Sequence, residues 1–82
     1  MPYIPPERRP VLEPDTVSQA QTAGELNFQI TRLVWGFVQR KGANYEAINA
    51  AVGALECAKL ELYRRRAAPY EDGKIQQNGD VY

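Results

Sequence analysis

The sequence has no histidine and a single cysteine, Cys57. Without an imidazole base, acyl transfer by a Ser-His-Asp arrangement is excluded, and no Gly-x-Ser-x-Gly elbow is present. One thiol forms no disulfide, and one Cys without His forms no ordinary zinc site. No glycine-rich phosphate loop precedes a helix, and neither Gly-Lys-Ser nor Gly-Lys-Thr occurs. Net charge is absent too: ten Lys plus Arg balance ten Asp plus Glu, so no global positive field holds a nucleic acid backbone. The first ten residues contain no apolar h-region, and no run approaches the roughly 20 apolar residues of a membrane span. These absences predict a soluble, cytoplasmic, non-enzymatic protein with no cofactor and no metal, binding neither membranes nor generic nucleic acid. A lone thiol agrees with a reducing compartment.

The remaining candidates for chemistry are weak. Glu56 with Glu61, and Glu71 with Asp72, are carboxylate pairs of a kind any helical protein carries, and acid–base work also needs a substrate-sized cleft. Cys57 falls away from the main apolar stripe of its helix, and Lys59 is near in sequence without sharing its face, so nothing marks the thiol as activated.

What is present is helical patterning. Pro2, Pro5, Pro6, Pro10 and Pro14 fix φ and remove donors, which predicts an extended arm over residues 1–14 rather than a helix. Residues 15–82 read as one small α-helical domain. Pro14-Asp15-Thr16 offers a capping oxygen ahead of a short helix over Val17–Gln21. From Gly24 to about Lys41, Leu26, Ile30, Leu33, Val34 and Phe37 recur at helical spacing, with Gly42 as the stop. Asn44 can cap the next helix, which runs to about Arg66 with Ile48, Ala51, Val52, Leu55, Ala58 and Leu62 on one face. The Gly42-Ala43 link is short enough to make these two helices antiparallel neighbours. Pro69, Glu71, Asp72 and Asn78-Gly79 outline a short terminal helix.

The expected fold is therefore all-α: an antiparallel helical hairpin with an extended Pro-rich N-terminal arm and a short C-terminal helix. Eighty-two residues bury only somewhat more than about 60% of their unfolded surface, and no disulfide or metal reinforces them, so the pattern predicts completion by homo-oligomerisation.

Several residues sit oddly in that pattern. Phe28 and Trp35 lie a heptad apart and nearly opposite the Leu26–Phe37 stripe, so a second apolar face needs the arm, the tail or another subunit. Lys59 falls in the sector of Ile48, Val52 and Leu55. It either reaches out to a carboxylate such as Glu56 or Glu25, or supplies charge to an anion pocket beside Tyr63. Asn27 and Thr31, four apart, either satisfy a nearby backbone group or orient a ligand. Arg64, Arg65 and Arg66 are either a solvated helix end or planar forks for phosphate. Tyr70 either covers the core or stacks on a base.

Whole segments also carry a resemblance: Met1-Pro2-Tyr3-Ile4; Gly24-Glu25-Leu26-Asn27 with Ile30-Thr31; Leu55-Glu56-Cys57 with Lys59-Leu60-Glu61 and Tyr63-Arg64-Arg65; Pro69-Tyr70-Glu71; Lys74-Ile75; and Asn78-Gly79-Asp80-Val81-Tyr82. In these the chain resembles a family of small, largely uncharacterised proteins of bacteriophages and prokaryotic genomes. The resemblance implies a phage-type or prokaryotic protein, placed in the host cytoplasm if phage-encoded, and brings no established activity.

Two functions fit. One is a phage-type sponge, a small oligomer that sequesters an anionic nucleotide second messenger of host immunity, with Asn27, Thr31, Lys59, Tyr63, Arg64, Arg65, Arg66 and Tyr70 as the ligand-binding set. The other is a protein–protein interaction module, an adaptor or inhibitor of a host protein, acting through the aromatic face of Phe28 and Trp35.

Overall fold

A computed structural model describes residues 2–13 and 19–82 of the chain. Among them there is no strand. A 3-10 turn, Pro6–Arg8, runs into α1 (Arg9–Leu12). Two long helices follow, α2 (Ala23–Arg40) and α3 (Tyr45–Leu62), and a π-helical turn, Tyr63–Ala67, joins α3 to α4 (Ala68–Asn78). No helix among the described residues is long and apolar enough to cross a membrane.

The helices begin and end where side chains satisfy their free backbone groups. Thr22 Oγ1 accepts the Glu25 N–H at 3.1 Å, and Glu25 Oε1 accepts the Gln21 N–H at 2.9 Å. This is a reciprocal cap shifted one residue upstream from the usual box. At the other end of α2, the Gly42 N–H reaches Gln39 O at 3.1 Å and the Ala43 N–H reaches Val38 O at 2.9 Å, with Gly42 at φ +98°. That pair of bonds is a Schellman stop, which needs a left-handed residue at Gly42. Ala43 is left-handed as well, at φ +53°. Asn44 then caps α3, its Oδ1 accepting from the Ala47 N–H at 2.8 Å while its Nδ2 donates to Lys41 O at 3.3 Å. The chain reverses within these few residues, so α2 and α3 are antiparallel.

The core lies at the closed end of this hairpin. Val38, Ala47 and Ala51 are buried, and Val34 and Phe37 pack against them. The predicted stripe is only partly the face that α2 turns inward: its Val34 and Phe37 pack against the core. Val34 and Val38 lie on the seam, while Leu33 is 73% exposed and Leu26 is 52% exposed. Trp35 does not lie opposite the seam but flanks it beside Val34 and Val38. The cause is the alanine lining of α3. Ala47 and Ala51 let the two backbones approach closely, and only a medium side chain fits between them, so larger ones stand to either side.

Two further expectations are corrected. The N-terminal arm is not wholly extended: Pro6 and Pro10 occupy first-turn positions, where the missing N–H has no helical partner to lose and φ already suits a helix. Its extended part is pinned where the Tyr3 hydroxyl donates to Glu61 Oε1. The short helix predicted over Val17–Gln21 falls partly outside the described residues, and Gln19, Ala20 and Gln21 carry no helix.

The short terminal helix is present as α4, and it continues the line of α3. Residues 45–78 form one helical rod interrupted only by the π turn, in which the Ala68 N–H reaches back five residues to Tyr63 O. Pro69 explains the interruption. In a regular α-helix its ring would press on the Arg65 carbonyl and leave it unbonded, and a widened turn relieves the contact. The rod stops at Gly79, φ +87°, whose N–H donates to Ile75 O at 2.8 Å.

The rod is much longer than its partner. The molecule measures 50 × 31 × 30 Å, whereas the 18 residues of α2 span about 27 Å. Beyond the hairpin, α4 contacts no element except the π turn that precedes it. The radius of gyration is 16.5 Å, against about 12 Å for a compact chain of this length. Accessible surface tells the same story: 7513 Å², where a compact 9.3 kDa protein exposes about 5,000 Å².

Candidate functional site

A groove of about 590 Å³ runs along one flank of the α2–α3 seam. Asn27, Thr31 and Trp35 form its α2 wall, Ile48, Val52 and Leu55 its α3 wall, and Val34, Val38 and Ala51 its floor. The i, i+4 spacing of Asn27, Thr31 and Trp35 stacks them on one edge of α2. Asn27 and Thr31, with the indole N–H of Trp35, supply the hydrogen-bonding groups of the lining. Asn27 and Thr31 are bonded to each other, Thr31 Oγ1 donating to Asn27 Oδ1 at 3.1 Å. That bond uses the Thr31 proton and one amide lone pair, so the Asn27 NH₂ group keeps both its protons for a third partner. The volume falls within the ~300–1,000 Å³ range of small-molecule sites, and the composition, apolar walls with a few convergent polar groups, is the usual one.

The other sequence-predicted ligand residues do not line this groove. Lys59 comes closest in register, one turn beyond Leu55 on the same side of α3. Its ammonium is exposed and paired with Glu56 Oε1 at 3.0 Å. Tyr63, Arg64, Arg65, Arg66 and Tyr70 all stand on the π turn and α4, and all are exposed. Within one chain the structure therefore brings Asn27, Thr31 and Trp35 together and leaves the cationic and tyrosyl residues on the projecting rod. Phe28 is exposed and borders a separate shallow hollow with Gln19, Gly24 and Gln29.

The rod carries its own polar network. Glu61 Oε1 accepts from Arg64 Nη2 at 2.7 Å as well as from the Tyr3 hydroxyl. The phenol first, then the guanidinium, hold the Glu61 carboxyl below its ordinary value, and Glu61 in turn raises Arg64. Two turns on, the Glu71 carboxylate faces the Tyr63 hydroxyl and pushes that phenol above its ordinary value, with Asp72 adding to the effect. Lys74 Nζ lies 5.5 Å from the centre of the Tyr70 ring. Arg65 and Arg66 make no ion pair with the described residues.

Sequence reasoning missed two of these features. The Thr22-Ala23-Gly24-Glu25 capping pattern was legible, since Ser/Thr-x-x-Glu ahead of an apolar run marks a helix start. The Tyr3–Glu61 bond spans 58 residues and leaves no local trace. Among the described residues no three His, Cys, Asp or Glu side chains group as metal ligands do.

A match over residues 1–81 to the family described as Domain of unknown function (DUF6899) covers nearly the whole chain. The chain belongs to that family. Membership accords with the end-to-end resemblance read from the sequence, and the family description assigns no activity. No curated protein and no solved structure matches the chain.

Proposed function

We propose that this family member is a non-enzymatic binding protein that sequesters a small anionic nucleotide in a self-associated form, a sponge for a second messenger of host immunity in a phage setting. The observation that carries the reading is the groove itself, with its single hydrogen-bonded polar pair and the Trp35 ring set in otherwise apolar walls. A nucleobase suits such a site: its faces match apolar walls and an indole, and its edge matches the free donors of Asn27. Lys59 stands a turn beyond the groove for a phosphate. The exposed Arg65 and Arg66 on the projecting rod supply more cationic charge where a neighbouring copy lays its rod along the groove.

The test is a thermal-shift screen of the full chain against cyclic dinucleotides, cyclic mononucleotides and ADP-ribose derivatives. A ligand at about 100 times its dissociation constant stabilises the fold by about 2.7 kcal/mol. The expected result is a shift with one nucleotide class that Thr31→Val and Lys59→Ala abolish while the wild-type mass in solution is retained. No shift with any nucleotide from a folded protein refutes the reading.

A second reading has an observation of its own. Trp35 and Phe28 are 48% and 65% exposed on one helix, and exposed aromatics are frequent anchors in protein interfaces. An adaptor or inhibitor acting through them loses its partner on Trp35→Ala and is indifferent to Lys59→Ala and Arg66→Ala.

A further inference from the structure

The chain has four asparagines, Asn27, Asn44, Asn49 and Asn78. An asparagine turns into an acid when the backbone nitrogen of the next residue reaches its side-chain carbonyl carbon. That next residue must be small, and its N–H must be released from hydrogen bonding. Asn27 and Asn49 lie inside α2 and α3, Asn44 caps α3, and the residues after them are Phe28, Ala50 and Tyr45. The amides of Asn27 and Asn44 are also held, by Thr31 and by the Ala47 N–H. Asn78 stands apart. It is exposed, it is the last residue of α4, and Gly79 follows it. Beyond the chain neighbours of Gly79, nothing lies within 4 Å of where a side chain there would start, so that side of the linkage is open. The attacking nitrogen is restrained by its bond to Ile75 O at 2.8 Å.

That bond belongs to the least supported part of the fold. The π turn is the only element α4 contacts, Gly73 interrupts its good helix formers, and helix ends without tertiary contacts open at almost no free-energy cost. We propose that Asn78-Gly79 is a site of spontaneous deamidation, gated by fraying of the last turn of α4. When the bond to Ile75 opens, the Gly79 nitrogen gives its proton to hydroxide and attacks Asn78 Cγ. The new N–Cγ bond closes a five-membered succinimide. The Cγ–Nδ2 bond breaks with its electron pair staying on nitrogen, which takes a proton from water and leaves as ammonia. Water then adds to one of the two ring carbonyls, and the ring opens to aspartate or to isoaspartate, whose main chain runs through the former side chain. Water is the sole co-reactant. The product puts a new negative charge at the C-terminal end of α4, where the helix dipole disfavours an anion, and isoaspartate also adds a methylene to the main chain. The last turn of α4 therefore unwinds. The site is independent of the nucleotide reading, since neither residue lines the Trp35 groove.

The experiment incubates the full chain in mildly alkaline buffer beside the isolated peptide of residues 75–82, which is too short to hold a helix. Ammonia release, the mass of the proteolytic fragment containing Asn78 and its isoaspartate content are followed with time. The wild type is expected to exchange NH₂ for OH at Asn78 alone, at a rate within about tenfold of the peptide's, because a frayed helix end opens at close to zero free energy. Asp72-Gly73 can close the same ring, but the water it loses returns on hydrolysis, so its mass does not change. Asn78→Gln, whose longer side chain closes only a less favourable six-membered ring, is expected to keep its mass. Gly73→Ala adds a methyl that meets nothing within 4 Å, strengthens α4, and is expected to slow the reaction by up to about fivefold. An Asn78 that stays intact in the full chain after the peptide has reacted overturns the proposal, and so does a Gly73→Ala rate equal to that of the wild type.

Discussion

Replacing Pro69 with alanine tests why the rod contains a π turn. In an uninterrupted α-helix, residues eight apart are about 80° apart around the axis and residues seven apart about 20°. Tyr63 and Glu71 are eight apart, yet the carboxylate lies close enough to raise the phenol. The extra residue in the π turn makes them behave as though seven apart. If Pro69 causes the widening, Pro69→Ala restores an N–H for the Arg65 carbonyl, and the turn reverts to α. The rest of α4 then rotates by about 100°, which at a side-chain radius of 5–6 Å carries Glu71 about 8 Å around the rod. Tyr63 loses the carboxylate and its pKa falls back toward 10.0, its ordinary value. The assay is an NMR titration of ring-labelled tyrosines, with Tyr63→Phe assigning the resonance. The raised phenol contributes stability that is complete below the unfolded pKa and is lost as pH rises through the folded one. The alkaline edge of the stability profile should therefore shift with the titration. A Tyr63 pKa unchanged by Pro69→Ala refutes the argument, since the π turn would then persist without its proline.

Two more expectations concern the hairpin end and the arm. Asn44→Ala removes the cap on α3 and its bond to Lys41 O, and should destabilise the fold by about 1 kcal/mol in denaturant melts, with no change in the ligand screen. Tyr3→Phe removes the first cause of the low Glu61 pKa, so Glu61 should titrate closer to 4.5. In the wild type the contribution of this depressed carboxylate is present above 4.5 and lost as pH falls through the lower folded value. Limited proteolysis across that acid window should show the arm released earlier in Tyr3→Phe than in the wild type.

Much of the architecture was legible because it is local. A 3.6-residue period, a glycine stop at Gly42 and a capping Asn44 define two antiparallel helices with no reference to the rest of the chain. The facing residues were less legible. The period does pick out Val34 and Phe37, but hydrophobicity alone favours Leu26 and Leu33 over Val38, and only the alanine lining of the partner helix reverses that order, which is a property of two segments at once. That α4 continues α3 was not legible for a similar reason. Proline inside a helical pattern ordinarily signals an end, and its absorption by a π turn depends on the geometry of the five residues before it. Of the ligand set, Asn27 and Thr31 were legible as a pair because their spacing is helical. Whether Lys59 or the arginines join them depends on contacts beyond a single hairpin, which no periodicity encodes.

The four-residue reversal from Lys41 to Asn44 has a consequence for kinetics. Every bond that closes it joins residues at most five apart in sequence, so almost no chain entropy is lost before the first tertiary contacts of Val38 with Ala47 and Ala51 form. Folds built from such short-range contacts form in microseconds to milliseconds. The hairpin therefore forms as a local unit, ahead of any contact that must bring distant parts of the chain together, such as the Tyr3–Glu61 bond across 58 residues. The arm is then the last part to find its place, closing by Tyr3 on a helix that is already made.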